Sequence, residues 1–257
     1  MGLQQQFVSF YTLLRREFVR IINIWPETLL PSVITMGLYF VIFGNVMGAR
    51  IGHMDAIPYT SYIVPGLVMM ALINSAYINV EFSFYISKFQ RNIEEMLTSP
   101  MSNHAILLGY ICGGLIRGML VASIVLLVAL FFTDIYIYNW PLTILVAVCT
   151  SLLLALGGFI NGVFATSFDQ LSLVPMFVLT PLTYFGGVFY SVDLLPSFWK
   201  AATYFNPIFY MVSGFRYGML GTTDVAIEYV LSILIIAIII LYSFCIWLLH
   251  KGIGVKS

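Results

Sequence analysis

The chain has 257 residues, 61% of them apolar, 16% aromatic and only 9% charged, and its 11 basic and 11 acidic side chains cancel to a formal charge of zero. Soluble domains average about 25% charged residues, so this composition and a mean hydropathy of +0.99 exclude a soluble enzyme domain. With no basic excess there is no electrostatic footprint for nucleic acid.

The N-terminus is polar (Gln4, Gln5, Gln6), and its first apolar run holds Arg15, Arg16 and Arg20, which is not the pattern of a secretory signal. Over 4–27, Phe7, Phe10, Tyr11, Leu14, Phe18, Ile21, Ile22 and Trp25 recur every three or four positions, while the charges mostly fall elsewhere. Such a stripe is too charged to cross a bilayer and predicts an interfacial amphipathic helix, ended by the Trp25-Pro26 step. The plainer alternative is an aromatic-rich lead-in that only anchors the chain.

A hydrocarbon core of about 30 Å needs roughly 20 apolar residues in helix, because lipid cannot satisfy backbone groups. Six stretches meet that requirement: 29–47, 62–82, 105–132, 142–166, 171–190 and 227–250. The last is the most uniform. The fifth is the least regular, since Pro175 and Pro181 must kink it and free carbonyls that other groups have to satisfy. Six spans put both termini on one side. Arg15, Arg16, Arg20, Lys88, Arg91, Lys251 and Lys256 then share the terminal side, against Arg50, Lys200 and Arg216 on the other, so both termini are expected in the cytoplasm.

Two connecting segments stand out. In 88–100, reading KFQRNIEEMLTSP, Phe89, Ile93, Met96 and Leu97 fall on one face of a short helix, with Lys88, Arg91, Glu94 and Glu95 on the rest. Pro100 sets its end near Ser99, and Ser102 is placed to cap the next span. This is either a docking element or a solvated connector. In 194–221, two apolar stretches too short to span are parted by Asn206-Pro207, which fits re-entrant or interfacial helices on the outer face.

Catalytic patterns are absent. No G-x-x-x-x-G-K-[ST], G-x-S-x-G, H-E-x-x-H or C-x-x-C occurs, and His53, His104 and His250 lie at three separate span or loop ends. Cys112, Cys149 and Cys245 each sit in an apolar run, as packing residues do. Arg117 is the one basic residue deep in a span; Asn74, Asn79, Glu81 and Asn161 are the other polar groups, either functional or bridging helices. Glu81, Asp134, Asp169 and Glu228 cluster at span ends, which argues against an ion-coupled carrier, and no duplication of the first three spans is visible. A transporter with neither an acidic relay nor a nucleotide site draws its energy from a partner. The competing classes are a membrane-embedded lipid-modifying enzyme, which would need more titratable groups than Arg117, and a scaffold that anchors a cytoplasmic protein.

The stretch 89–100 (FQRNIEEMLTSP) and the stretch 179–216 (LTPLTYFGGVFYSVDLLPSFWKAATYFNPIFYMVSGFR) resemble the ABC-2 type permeases of ATP-binding cassette exporters. So do Pro31 followed by ITMGLYFVIFGN, and Ile63-Val64-Pro65-Gly66-Leu67. The likeness runs nearly end to end and is marked toward the YadH-like inner-membrane permeases of bacteria. It implies an all-α polytopic fold as one transmembrane domain over 1–257, with an N-terminal interfacial helix, six spans, a coupling helix after the second and re-entrant helices before the last. It further implies a second permease copy, forming a homodimer, and two copies of a separate cytoplasmic ATPase that binds ATP and Mg, leaving this chain with no cofactor, metal or catalytic residue of its own. On that pattern Phe89, Ile93, Met96 and Leu97 are the knob of the coupling helix and Arg91, Glu94 and Glu95 its charged rim. Tyr62, Met69, Met70, Phe177, Tyr184 and Phe185, with Arg117, are the expected wall of a greasy translocation path between spans two and five, suited to a lipid, lipid-linked glycan or drug.

Overall fold

A computed structural model of the chain describes residues 3–54, 57–99 and 101–254; the side chains of residues 3–5, Glu94, Leu97 and Thr98 lie outside the described residues. Helix α1 (Leu3–Asn23) is separated by the single residue Ile24 from the next helix, which starts at Trp25 with Pro26 in its first turn, a position that needs no N–H. That helix, α2 (Trp25–Tyr39), continues through a π-helical segment (Phe40–Met47) into α3 (Gly48–Ile51), giving 27 unbroken residues from Trp25 to Ile51. Thr60 donates its hydroxyl to the Gly44 carbonyl at 3.0 Å inside the π segment, where the helical ladder is open to an outside donor. A two-residue antiparallel ladder, β1 (His53–Met54) with β2 (Ile57–Pro58), then leads into α4 (Tyr59–Phe89). This small ladder does not alter the all-helical class.

After α4 come α5 (Asn92–Thr98), α6 (Asn103–Ala129) and α7 (Trp140–Phe164). Ser102 caps α6 as its sequence position predicts, its Oγ accepting from the Ala105 N–H at 3.2 Å. The expected fifth span is a shorter element: α8 (Phe168–Val174), a π segment (Pro175–Leu179) and α9 (Thr180–Tyr184), of 7, 5 and 5 residues in succession. A 3-10 turn (Val192–Leu194), α10 (Ser197–Thr203), α11 (Pro207–Leu220) and α12 (Ile227–Lys251) complete the described chain. Five helices among the described residues are long and apolar enough to cross a membrane, one fewer than the six spans expected, because the 171–190 stretch stops being helical at Tyr184.

The prolines explain that shorter element. Pro175 has no N–H for the Leu171 carbonyl four residues back, and Asn161 of α7 supplies the missing donor at 3.2 Å. Thr180 donates to the Pro175 carbonyl at 2.8 Å and Asn206 to that of Leu182 at 2.7 Å. Asn161 therefore acts as a bridge between helices.

Helix α4 is the axis of the bundle and is buried over most of its length, jacketed by α6, α7 and α11. Small residues allow this approach. Gly114 and Gly118 of α6 face Val80 and Ala76 of α4, while Gly158 and Gly162 of α7 lie on the Tyr77 and Glu81 backbone. A second pair on α6, Gly109 and Gly113, receives Leu13 and Glu17 of α1. A Cβ on Gly158 would overlap the Tyr77 carbonyl oxygen. Gly158→Val is accordingly expected to cost about 1–3 kcal/mol or more, read as a lowered thermal midpoint of the purified protein in detergent. Gly37→Ala, where an added Cβ meets nothing within 4 Å, serves as the unaffected control.

Candidate functional site

The last turn of α4, α5, the first turns of α6 and the body of α1 form one end of the molecule. Here α4 stops at Phe89, and the chain reverses through Gln90 and Arg91, whose φ of 61° puts a non-glycine residue in the left-handed region. The reversal is anchored by Lys88, whose Nζ donates to the Val163 and Ala165 carbonyls at 2.7 and 2.6 Å, closing the C-terminus of α7 with a cation.

The reversal splits the single apolar face expected over 88–100. Phe89 belongs to α4, is 65% exposed, stacks on Tyr85 and meets Phe168 edge-on. Ile93 points the other way: it is wholly buried in the cluster that holds Leu13, Ile106 and Tyr110. Met96 is half-buried, its sulfur 3.9 Å from the Tyr110 hydroxyl. Ile93 and Met96 thus fasten α5 to the bundle and are not a protruding knob, because an isoleucine this close to the α1–α6 seam gains more from burial than from water. Phe89, Arg91 and Glu95 are the exposed members of the set. The side chains of Glu94 and Leu97 lie outside the described residues.

Beside α5 sits a polar cluster that periodicity did not reveal. Of the aromatic stripe of α1, Phe7, Tyr11, Phe18 and Ile22 are exposed, while Ile21 joins Leu13 and Glu17 in a buried line. Glu17 is 1% exposed and receives three donors: Ser83 Oγ at 2.7 Å, Arg20 at 2.8 Å and Arg16 at 3.4 Å. Arg16 also donates to the Tyr110 hydroxyl at 2.9 Å and to Ser87 at 3.2 Å. Asn79 Oδ1 accepts from Arg20 at 2.9 Å and from Arg117 at 3.4 Å. Arg117 is therefore half-buried in this cluster, in which two guanidinium groups share the Glu17 carboxylate and a third, Arg117, joins through Asn79. A groove of about 470 Å³ opens from the cluster between α1 and the last turns of α4. The sequence carried one signal for it, a glutamate flanked by Arg16 and Arg20, but which helices it would meet was not legible.

The residues expected to wall a translocation path are divided by the fold. Tyr62, Met69 and Met70 are 1%, 0% and 7% exposed, enclosed within this chain's own core because α4 is jacketed on several sides. They do not form an open wall. Phe177 and Tyr184 are exposed on the α8–α9 element, and Phe185 is half-buried against Trp199. Tyr184 shares a 2.6 Å hydroxyl contact with Tyr39 of α2 and stacks on Phe189 at a centroid distance of 5.9 Å, with Phe43 packed on Phe189 at 4.6 Å.

At the opposite end Arg216, expected in an outer loop, is 2% exposed. Its guanidinium lies 4.3 Å over the Tyr62 ring, donates to the Gly187 carbonyl and pairs with Asp224 at 3.5 Å. Gly187, at φ 76°, makes the turn after α9, and Val188 backbone lies directly on Gly66 of α4. Arg216 so ties α11 and the post-α9 turn to the axial helix. On the surface nearby, Lys200 pairs with Asp193 at 2.5 Å, and that carboxylate holds the ammonium pKa above its ordinary value.

The family model of the ABC-2 type transporter matches residues 8–220. The chain is 49% identical over 251 residues to the inner membrane transport permease YadH of Escherichia coli K12, covering 98% of each. It is 22% identical to nodulation protein J of Sinorhizobium fredii, covering 88% of each. The chain belongs to the ABC-2 type transporter family and is a multi-pass membrane permease of an ABC transporter.

Proposed function

We propose that this permease is the membrane half of an exporter in the bacterial inner membrane, driven by a separate cytoplasmic ABC ATPase. Two copies of the chain pair, and each rests on one ATPase subunit, which binds the ATP and Mg. The short α8–α9 element serves as the fifth of six spans, and α10 and α11 are the re-entrant pair on the outer face. Both termini, α1 and α5 lie on the cytoplasmic side, supported by the excess of Arg and Lys at that end. The inner-membrane assignment rests on the printed name of the Escherichia coli relative.

The observation that carries the reading is the construction of α5. Its inner face is locked to the bundle by Ile93, and its outer face, with the adjoining Phe89, Arg91 and Glu95, is exposed. A helix so fixed transmits a push as a rigid body to α1 and α6. The substrate is hydrophobic or amphipathic, since the exposed candidates, Phe177 and Tyr184, are aromatic and Phe185 beside them is too. Purification in mild detergent with a C-terminal tag should bring down a Walker-A protein with vanadate-sensitive ATPase activity; a single monodisperse chain under several gentle conditions would overturn the reading. In the assembled complex, Glu95→Arg and Arg91→Glu are each expected to weaken docking about tenfold through like-charge contact at the rim. ATPase titration against the permease measures that change, with Gly37→Ala as the neutral reference.

A further inference from the structure

We propose that the groove between α1 and α4 binds the phosphate of an anionic lipid headgroup, held by Arg16 and Arg20. Lipid binding here is independent of the transport reading, because it is a property of the permease alone.

Three observations converge. The first is charge: Arg16 and Arg20 share the single carboxylate of Glu17, and Arg117 adds a third cation beside Arg20 through Asn79, leaving positive charge uncompensated among the described residues. Arg20, which lines the groove, has its Nε buried with no hydrogen-bond partner, although guanidinium donors normally find one. The second is shape. The groove, at about 470 Å³, is far larger than a phosphate group; Ser83, Ser87 and Gln90 line it together with the apolar Val19, Ile24 and Ile86. Free phosphate has no use for an apolar wall, whereas a glycerol backbone and the start of an acyl chain do. The third is depth. Phe7, Tyr11, Phe18, Ile22 and Trp25 turn outward from α1, and aromatic residues on a helix of this kind settle at the headgroup level of a bilayer. The mouth of the groove therefore opens where headgroups lie, and basic pockets between helices at that depth take acidic lipids.

The test uses the full-length protein, delipidated in a neutral detergent, with thermal unfolding followed as phosphatidylglycerol, phosphatidylcholine, inorganic phosphate or a poly-glutamate peptide is added. Phosphatidylglycerol should stabilise the protein at concentrations at which the other three do not. Each arginine near a membrane surface contributes about fivefold to the affinity for acidic lipid, so Arg16→Gln and Arg20→Gln should each raise the half-saturating concentration about fivefold. Both also belong to the buried cluster and could unfold. Gln90→Glu and Asn23→Asp keep that cluster intact and place a negative charge on the exposed rim of the groove; both should weaken phosphatidylglycerol binding while leaving the lipid-free midpoint in place. Equal stabilisation by phosphatidylcholine, or no change in Gln90→Glu and Asn23→Asp, overturns the site. Equal stabilisation by inorganic phosphate overturns the lipid as its source, and stabilisation by poly-glutamate instead assigns the groove to a protein partner and overturns the proposal.

Discussion

Glu17→Ala is expected to destabilise the fold by about 3–5 kcal/mol, the cost of removing one partner from a buried ion cluster. The carboxylate is 1% exposed and is the common acceptor for Arg16, Arg20 and Ser83. Without it, Arg16 and Arg20 lose the carboxylate they share, and Arg20 and Arg117 still converge on Asn79. The space vacated cannot collapse readily, because Glu17 Cβ already lies against Gly113 of α6. Thermal or denaturant unfolding of the purified protein measures the loss, and the amount recovered from membranes should fall with it. Adding Arg20→Leu to Glu17→Ala should return part of the loss, since removing one of the repelling cations relieves the cluster; coupling between such neighbours runs to about 0.5–3 kcal/mol. An unchanged midpoint in Glu17→Ala would mean that α1 is not held by this cluster.

Arg216→Leu should cost about 3 kcal/mol, by a different route. The residue is 2% exposed and makes three kinds of contact at once: the face of Tyr62, the Gly187 carbonyl and Asp224. A desolvated cation–π contact is worth about 2 kcal/mol, and hydrogen bonds to charged groups contribute about 1.5–3 kcal/mol. The lost leucine-filled volume recovers only the packing share. Arg216→Lys should recover little, since an ammonium cannot offer the planar fork that meets a carbonyl and a carboxylate while stacking on a ring. Tyr62→Leu removes the same cation–π contact, so the double variant with Arg216→Leu should fall short of additivity. Additive losses would show that the two side chains stabilise the fold separately. The same variants bear on transport, because Arg216 ties α11 and the turn after α9 to the axial helix.

Both residues show why part of this molecule was hidden in the sequence. Glu17 reads as one more charge on an interfacial helix, beside a strong aromatic stripe. Phe7, Tyr11, Phe18 and Ile22 are exposed, and the line with Leu13, Glu17 and Ile21 packs on the bundle. Periodicity finds two faces of a helix but cannot say which one a membrane protein turns inward, since both lipid and core accept apolar side chains. Ile93 misleads in the same way. Its spacing from Phe89 fits one helix face, yet Arg91 at positive φ breaks the helix between them.

What the sequence determined by itself was local. Apolar lengths set the long helices near 29–47, 62–82, 105–132, 142–166 and 227–250, prolines marked where 171–190 would falter, and Ser102 marked the start of α6. Each follows from the cost of leaving a backbone group unpaired, which is decided within a few residues. The motifs around 89–100 and 179–216 were likewise enough to reach the family. Only the tertiary structure decided the buried polar contacts. Arg16 meets a tyrosine 94 residues away, Arg20 an asparagine 59 away, and Glu17 a serine 66 away. A charge can leave water only where several helices bring donors and acceptors to one point, and that coincidence belongs to the packed bundle.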